Sequence, residues 1–176
     1  IMWSGDPAFW AKHSPVLFPI VGTLKSNTYF HNGKSYQMGR HGFARDRQFI
    51  VEEEQPDSIT FLLRDDDESA TVFPFSFELR IKYTLYENSL AVAYDIVNEG
   101  DEDMYFSIGA HPAFKVPLEE KWQYTDYYLE FDKTETSPRW PISPEGLIKK
   151  EAQAFLNNTT KLPLSKEHFQ KNAILV

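Results

Sequence analysis

A chain of 176 residues that is 41% hydrophobic and 15% aromatic can bury one core, and its length fits a single domain over residues 1–176. A net charge of −8, with no Lys/Arg cluster to offset it, repels phosphate backbones and anionic membranes, so neither nucleic acid nor membrane is an expected partner. Zero cysteines exclude disulfides, thiolate chemistry and cysteine-ligated zinc; no apolar run approaches the ~18 residues of a membrane span and no basic-then-apolar leader opens the sequence, so the expected location is cytoplasmic.

In chain order, residues 1–10 gather Trp3, Phe9 and Trp10 around Ser4-Gly5-Asp6-Pro7 and predict a strand end followed by a turn. Residues 15–22 are apolar, with Pro15 and Pro19 flanking Val16-Leu17-Phe18, which suits a sheet edge or an irregular buried crossing. Residues 29–36 predict a hairpin turning at Asn32-Gly33, with His31 as a surface turn residue. Strands are predicted over 48–54 and 59–64, joined by Gln55-Pro56-Asp57. The acidic run Asp65-Asp66-Asp67-Glu68 lacks the glycine and distal glutamate of a calcium loop and reads as a solvated turn.

The clearest pattern spans residues 77–98. Phe77, Leu79, Ile81, Tyr83 and Leu85 alternate with Glu78, Arg80, Lys82 and Thr84, a period of two that buries one face. After Glu87-Asn88, Leu90, Val92, Tyr94 and Ile96 alternate in a returning strand, and residues 104–108 are expected to continue the meander into His111. Successive hairpins argue for an all-β, antiparallel β-sandwich. Beyond Pro117, residues 127–131 predict a strand, 138–146 with three prolines a loop, 147–157 a short helix or a strand pair, 165–171 a helical turn and 173–176 a further strand. Both ends of the sequence read as interior to a longer chain.

Two stretches carry chemistry, Gly39-Arg40-His41-Gly42-Phe43-Ala44-Arg45 and Ser107-Ile108-Gly109-Ala110-His111-Pro112-Ala113-Phe114-Lys115-Val116-Pro117. Each sets a histidine before a backbone punctuator and a phenylalanine shortly after. Imidazole gives or takes a proton near neutrality, and an aromatic ring offers a flat wall to the C–H faces of a sugar. The competing reading makes each histidine a turn residue bonded to nearby backbone. The functional reading requires the fold to bring the two stretches together.

The run His41-Gly42-Phe43-Ala44-Arg45 with Asp46 and Phe49, the segment from Pro15 to Gly22 before it, and Gly109-Ala110-His111-Pro112-Ala113-Phe114 after it resemble the aldose 1-epimerase (galactose mutarotase) family, nearest its LacX-like branch. The resemblance runs in order from Trp3 to Pro117. It implies the galactose mutarotase-like supersandwich, here incomplete at both ends. It also implies a cytoplasmic isomerase of carbohydrate metabolism that interconverts α and β anomers of an aldohexose or hexose phosphate, and the state is compatible with a homodimer. By that resemblance His111 is the general acid at the ring oxygen and His41 orients the sugar, while Arg45 anchors hydroxyls or a phosphate unless it only pairs with Asp46. Phe43 and Phe114 are candidate sugar walls.

Family members often carry a basic residue just after the glycine at position 22; here Thr23 follows, and Lys25 is the nearest cation. The family's general base is a glutamate near the end of a longer chain, and none of Glu145, Glu151 and Glu167 matches its motif, so the base is expected in a C-terminal part outside these residues. Anomer exchange needs an acid and a base, with no metal and no cofactor. Two other readings stand beside it: a non-catalytic carbohydrate-binding protein on the same fold, and a metal site drawn from His13, His41 and His111, for which the tight ligand spacings are absent.

Overall fold

The computed structural model describes residues 2–169. They form two compact units, one from Val16 to Ala110 and the other from residues 2–15 together with 111–169. The first contains β1 (Val16–Leu17), β2 (Thr28–His31), β3 (Lys34–Gln37), β4 (Ile50–Gln55), β5 (Ser58–Arg64), α1 (Asp67–Ala70), β6 (Phe77–Tyr86), β7 (Ser89–Asn98) and β8 (Gly109–Ala110). The second contains β9 (Tyr128–Arg139), β10 (Gln153–Pro163) and α2 (Lys166–Phe169). Every strand pair is antiparallel. Among the described residues, no helix is long and apolar enough to cross a membrane.

The alternation over 77–98 produces the central sheet, ordered β4-β5-β6-β7. Leu79 stands between Leu63 and Ile96, and Ile81 between Phe61 and Tyr94, so one face is a continuous apolar layer. On the other face Arg80 grips both carboxylate oxygens of Glu52 at 2.7 and 2.8 Å and also reaches Glu78, while Arg64 pairs with Glu78 at 2.7 Å. β7 is an outer strand, and no described strand pairs with its far side. Near the β6–β7 turn the apolar face runs out into solvent, where Leu85, Leu90 and Val92 are exposed.

Phe18 organises the core of this unit. Its fully buried ring lies 5.3 Å from Phe77, 6.0 Å from Phe73 and 6.4 Å from Phe43, and Leu63, Leu79 and Ile81 of the sheet complete the cluster. The edge-on and tilted geometries suit rings whose faces are negative and whose edges are positive. Proline at positions 15 and 19 holds β1 to two residues, and its partner is β8 rather than the sheet (Val16↔Ala110, Leu17↔Gly109). Phe18 lies past the end of that pairing and forms only an isolated parallel bridge with Gly42, its carbonyl accepting from the Phe43 and Ala44 amides at 3.0 and 3.2 Å. A Cβ on Gly42, whose φ is +70°, would overlap that carbonyl.

Several expectations are corrected. Residues 104–108 do not continue the meander: Ser107 donates to the Pro19 carbonyl, and Met104 and Ile108, four apart, pack on the core as irregular chain. His31 closes β2 and is more than a turn residue. Its ring lies 4.7 Å from Phe75 and its Nε2 is 3.4 Å from Glu102. The Asn32-Gly33 turn is as predicted, with φ of +48° and +74°. At the start of β2, Tyr29 donates to the Val72 carbonyl, and burial, with Tyr36 beside it, pushes its phenol up to about 12.

The acidic run is also structural. Asp66 caps α1 by accepting from the Ser69 amide at 2.6 Å, the Ser69 hydroxyl accepts from the Asp66 amide, and Asp65 accepts from the Phe77 amide. Those bonds, with Arg47 nearby, hold the Asp66 carboxyl below the usual carboxylate range. β9 runs through Pro138, which pairs with Ala154; in a two-stranded ribbon one side of the strand needs no donor, so the missing N–H is tolerated. Within 147–157 the strand alternative holds, since β10 begins at Gln153. The helical turn near 165–171 is α2, while the strand expected at 173–176 lies outside the described residues.

Two outcomes follow from this framework. Gly42→Ala adds a side chain at a left-handed backbone and against the Phe18 carbonyl, so the urea midpoint of the full chain drops by the equivalent of at least ~2 kcal/mol. Asp66 contributes stability above the unfolded aspartate pKa that is lost as pH falls through its lower folded value. Asp66→Asn keeps a capping side chain and removes that titration, so the drop in urea midpoint between pH 5 and pH 2.5 becomes shallower in the variant than in the parent.

Candidate functional site

The residues singled out from the sequence divide between the units, with Lys25, His41, Phe43 and Arg45 in one and His111 and Phe114 in the other. His41 and Gly22 are joined reciprocally. The His41 amide donates to the Gly22 carbonyl at 2.8 Å, and the Gly22 amide donates to His41 Nδ1 at 3.0 Å. Both are left-handed, with φ of +68° and +89°, a conformation that a histidine adopts only when its surroundings insist on it. Because Nδ1 accepts, the neutral ring carries its hydrogen on Nε2, so that edge is a hydrogen-bond donor.

The neighbours of His41 reinforce this placement. The Phe43 ring packs on Phe18, Phe73 and Phe77, with the Arg47 guanidinium 5.7 Å from its centroid. Arg47 is itself paired with Glu68 at 2.6 Å, which ties the loop to α1. Arg45, in the 3-10 turn Ala44–Asp46, donates from Nη2 to the Arg40 carbonyl at 2.9 Å and has its Nε 3.4 Å from Asp46. That approach is an ion pair without hydrogen-bond geometry, and the buried Nε has no hydrogen-bond acceptor among the described residues. Lys25 is exposed at the start of the turn Lys25–Asn27. Arg40 was not anticipated. Its Nε donates to the Thr23 hydroxyl at 2.9 Å, so a guanidinium from the histidine's own loop reaches the residue that follows Gly22.

His111 leaves β8 into an irregular segment laced to the chain's first residues. Its amide donates to the Pro15 carbonyl at 3.2 Å, Ala113 donates to the Ser14 hydroxyl at 3.1 Å and accepts from the Trp3 amide at 3.0 Å, and Phe114 bridges Met2. The imidazole is exposed, with the Trp10 ring 4.7 Å away and inclined at 42°. Phe114 is 59% exposed, which leaves its face open to an apolar surface. Trp10, like Arg40, was missed by sequence reasoning; its only signal was membership of an aromatic cluster read as a turn.

These groups can donate hydrogen bonds, shuttle a proton and pack against C–H faces. Among the described residues, no group of three or more His, Cys, Asp or Glu is placed to hold a metal, and His13 lies against Gly5. Glu145 accepts from the Ser143 hydroxyl, which holds its carboxyl below the usual range and makes it a weaker base.

Comparison with known proteins gives these features a context. Residues 1–171 match the family described as Aldose 1-epimerase. Two curated relatives from Lactococcus lactis subsp. lactis, the chromosomal and plasmid forms of protein LacX, are each 36% identical over an alignment 181 residues long that covers 98% of this chain and 60% of theirs. Among solved structures, a galactose mutarotase related enzyme from Lactobacillus acidophilus superposes with a TM-score of 0.91 at 38% identity, over 98% of this chain and 57% of that one. A galactose mutarotase-like protein from Lactobacillus casei ATCC 334 gives 0.87 at 30% identity, over 98% and 60%. The chain thus spans about three fifths of the length of the relatives it matches. It has the galactose mutarotase-like fold, and it belongs to the aldose 1-epimerase family, in the LacX-like branch.

Proposed function

We propose that the protein is a mutarotase-like isomerase that interconverts the α and β anomers of an aldohexose or hexose phosphate, and that its two units are parts of one epimerase-like domain. The observation that carries this is the family match over residues 1–171, which includes both histidine stretches. In the proposed reaction the C1 hydroxyl loses its proton to a base as His111 protonates the ring oxygen. The C1–O5 bond breaks, the aldehyde turns, and closure on its other face reverses the proton transfers. His111 suits the acid role through its exposed imidazole at a strand end.

His41 offers a fixed Nε2–H to a sugar oxygen, since its Nδ1 is already taken up by Gly22. Phe43, packed in the core, keeps that loop in place, and Phe114 provides the apolar wall. Arg45 and Lys25 are polar anchors for hydroxyls or a phosphate. The base is a carboxylate outside these 176 residues, in keeping with relatives that are longer than this chain.

Because no glutamate here matches the family's base, a second reading is a protein of this fold that binds sugar without turning it over. The optical rotation of freshly dissolved α-glucose or α-galactose separates the two. Full-length protein speeds the approach to equilibrium and His111→Ala lowers kcat by about 10²–10⁴-fold; no acceleration above buffer removes the isomerase reading. In that event sugar affinity that survives His111→Ala supports the binding protein.

A further inference from the structure

His111 is exposed, so neither burial nor a crowded rotamer fixes its ring. Its backbone, however, is bracketed by the chain's first residues through Pro15, Ser14, Trp3 and Met2, and one aromatic ring faces it, that of Trp10 at 4.7 Å and 42°. Trp10 is itself held at both backbone ends. Its amide donates to the Asp6 carbonyl at 2.9 Å, and its carbonyl accepts from Trp3 Nε1 at 2.8 Å. The turn beneath it is closed by Ala8 donating to the Asp6 carboxylate at 2.9 Å, and the Trp3 ring meets Phe9 edge-on at 6.2 Å.

These bonds fix the backbone that carries the indole beside the imidazole, and an imidazole at that spacing and tilt packs against the ring over a restricted range of χ2.

We infer that Trp10 is a positioning residue for His111, whose imidazole it holds by ring contact at the angle needed to protonate a sugar ring oxygen. The inference rests on the isomerase reading for its catalytic meaning and on geometry alone for the ring contact. Trp10 acts through His111 and not on substrate, so its removal affects turnover more than binding.

The test uses the full-length protein and two readouts. In mutarotation of freshly dissolved α-galactose, Trp10→Leu lowers kcat ~10-fold with KM changed less than about twofold, and Trp10→Phe recovers most of the loss. In the NMR spectrum, the His111 ring protons, assigned by their absence in His111→Gln, are displaced by the indole ring current in the parent and return toward free-histidine positions in Trp10→Leu. Should Trp10→Leu fail to fold, Trp10→Met, which keeps bulk without a ring, takes its place in both assays.

An unchanged kcat, a loss confined to KM, or ring protons that do not move in the ringless variant overturns the inference. If the parent shows no mutarotation, the isomerase reading falls, and the ring-proton shifts alone decide the contact: a displacement lost with the indole upholds it, and one retained overturns it.

Discussion

The Val16–Ala110 unit depends on one residue used twice. The Phe18 side chain fills the middle of the aromatic core, and its carbonyl is the hydrogen-bond acceptor for the loop that carries His41. A shift of that ring to relieve packing would move the carbonyl as well, so core packing and the histidine's position are not independent. The prolines at 15 and 19 make this possible by keeping the segment out of a regular sheet, which leaves the carbonyl available for Phe43 and Ala44. Gly42 is the matching requirement on the other side, the one residue type that lets the two backbones meet.

The two histidines are held by different physics. His41 is bonded to Gly22 through both its amide and its Nδ1, at a left-handed backbone, so its ring hydrogen is assigned by what Nδ1 already accepts. His111 is fixed at its backbone by amide bonds and at its ring by a face contact that leaves both nitrogens uncommitted to it. In the proposed reaction His41 holds and points, which the first arrangement suits, and His111 gives up and regains a proton, which the second leaves its ring nitrogens able to do.

The regular parts of the fold were legible. The two-residue period over 77–98 gave β6 and β7, and Asn32-Gly33 gave the β2–β3 turn, because local sterics and one-sided burial determine both. Met104 and Ile108 misled because an apolar run records burial and not whether the chain is extended; their partner is the core and not β7. The acidic run is solvated as read, but its capping role was not legible, because only the fold brings Phe77 and Ser69 to Asp65 and Asp66. The histidine motifs were visible through family resemblance. Trp10 and Arg40 were not, because their significance comes from contacts with His111 and Thr23 that no local pattern encodes.

β7 has a further physical implication. On the side away from β6 its ten residues offer an amide and carbonyl row with no described strand beside it, and Leu90 and Val92 stand exposed on it as Leu85 does on β6 across the turn. β7 carries no lysine, and Asp95 is the one charged side chain along it to guard that border. Such a row is a template to which a further strand can add, and the exposed Leu90 and Val92 would bring apolar contact to the addition.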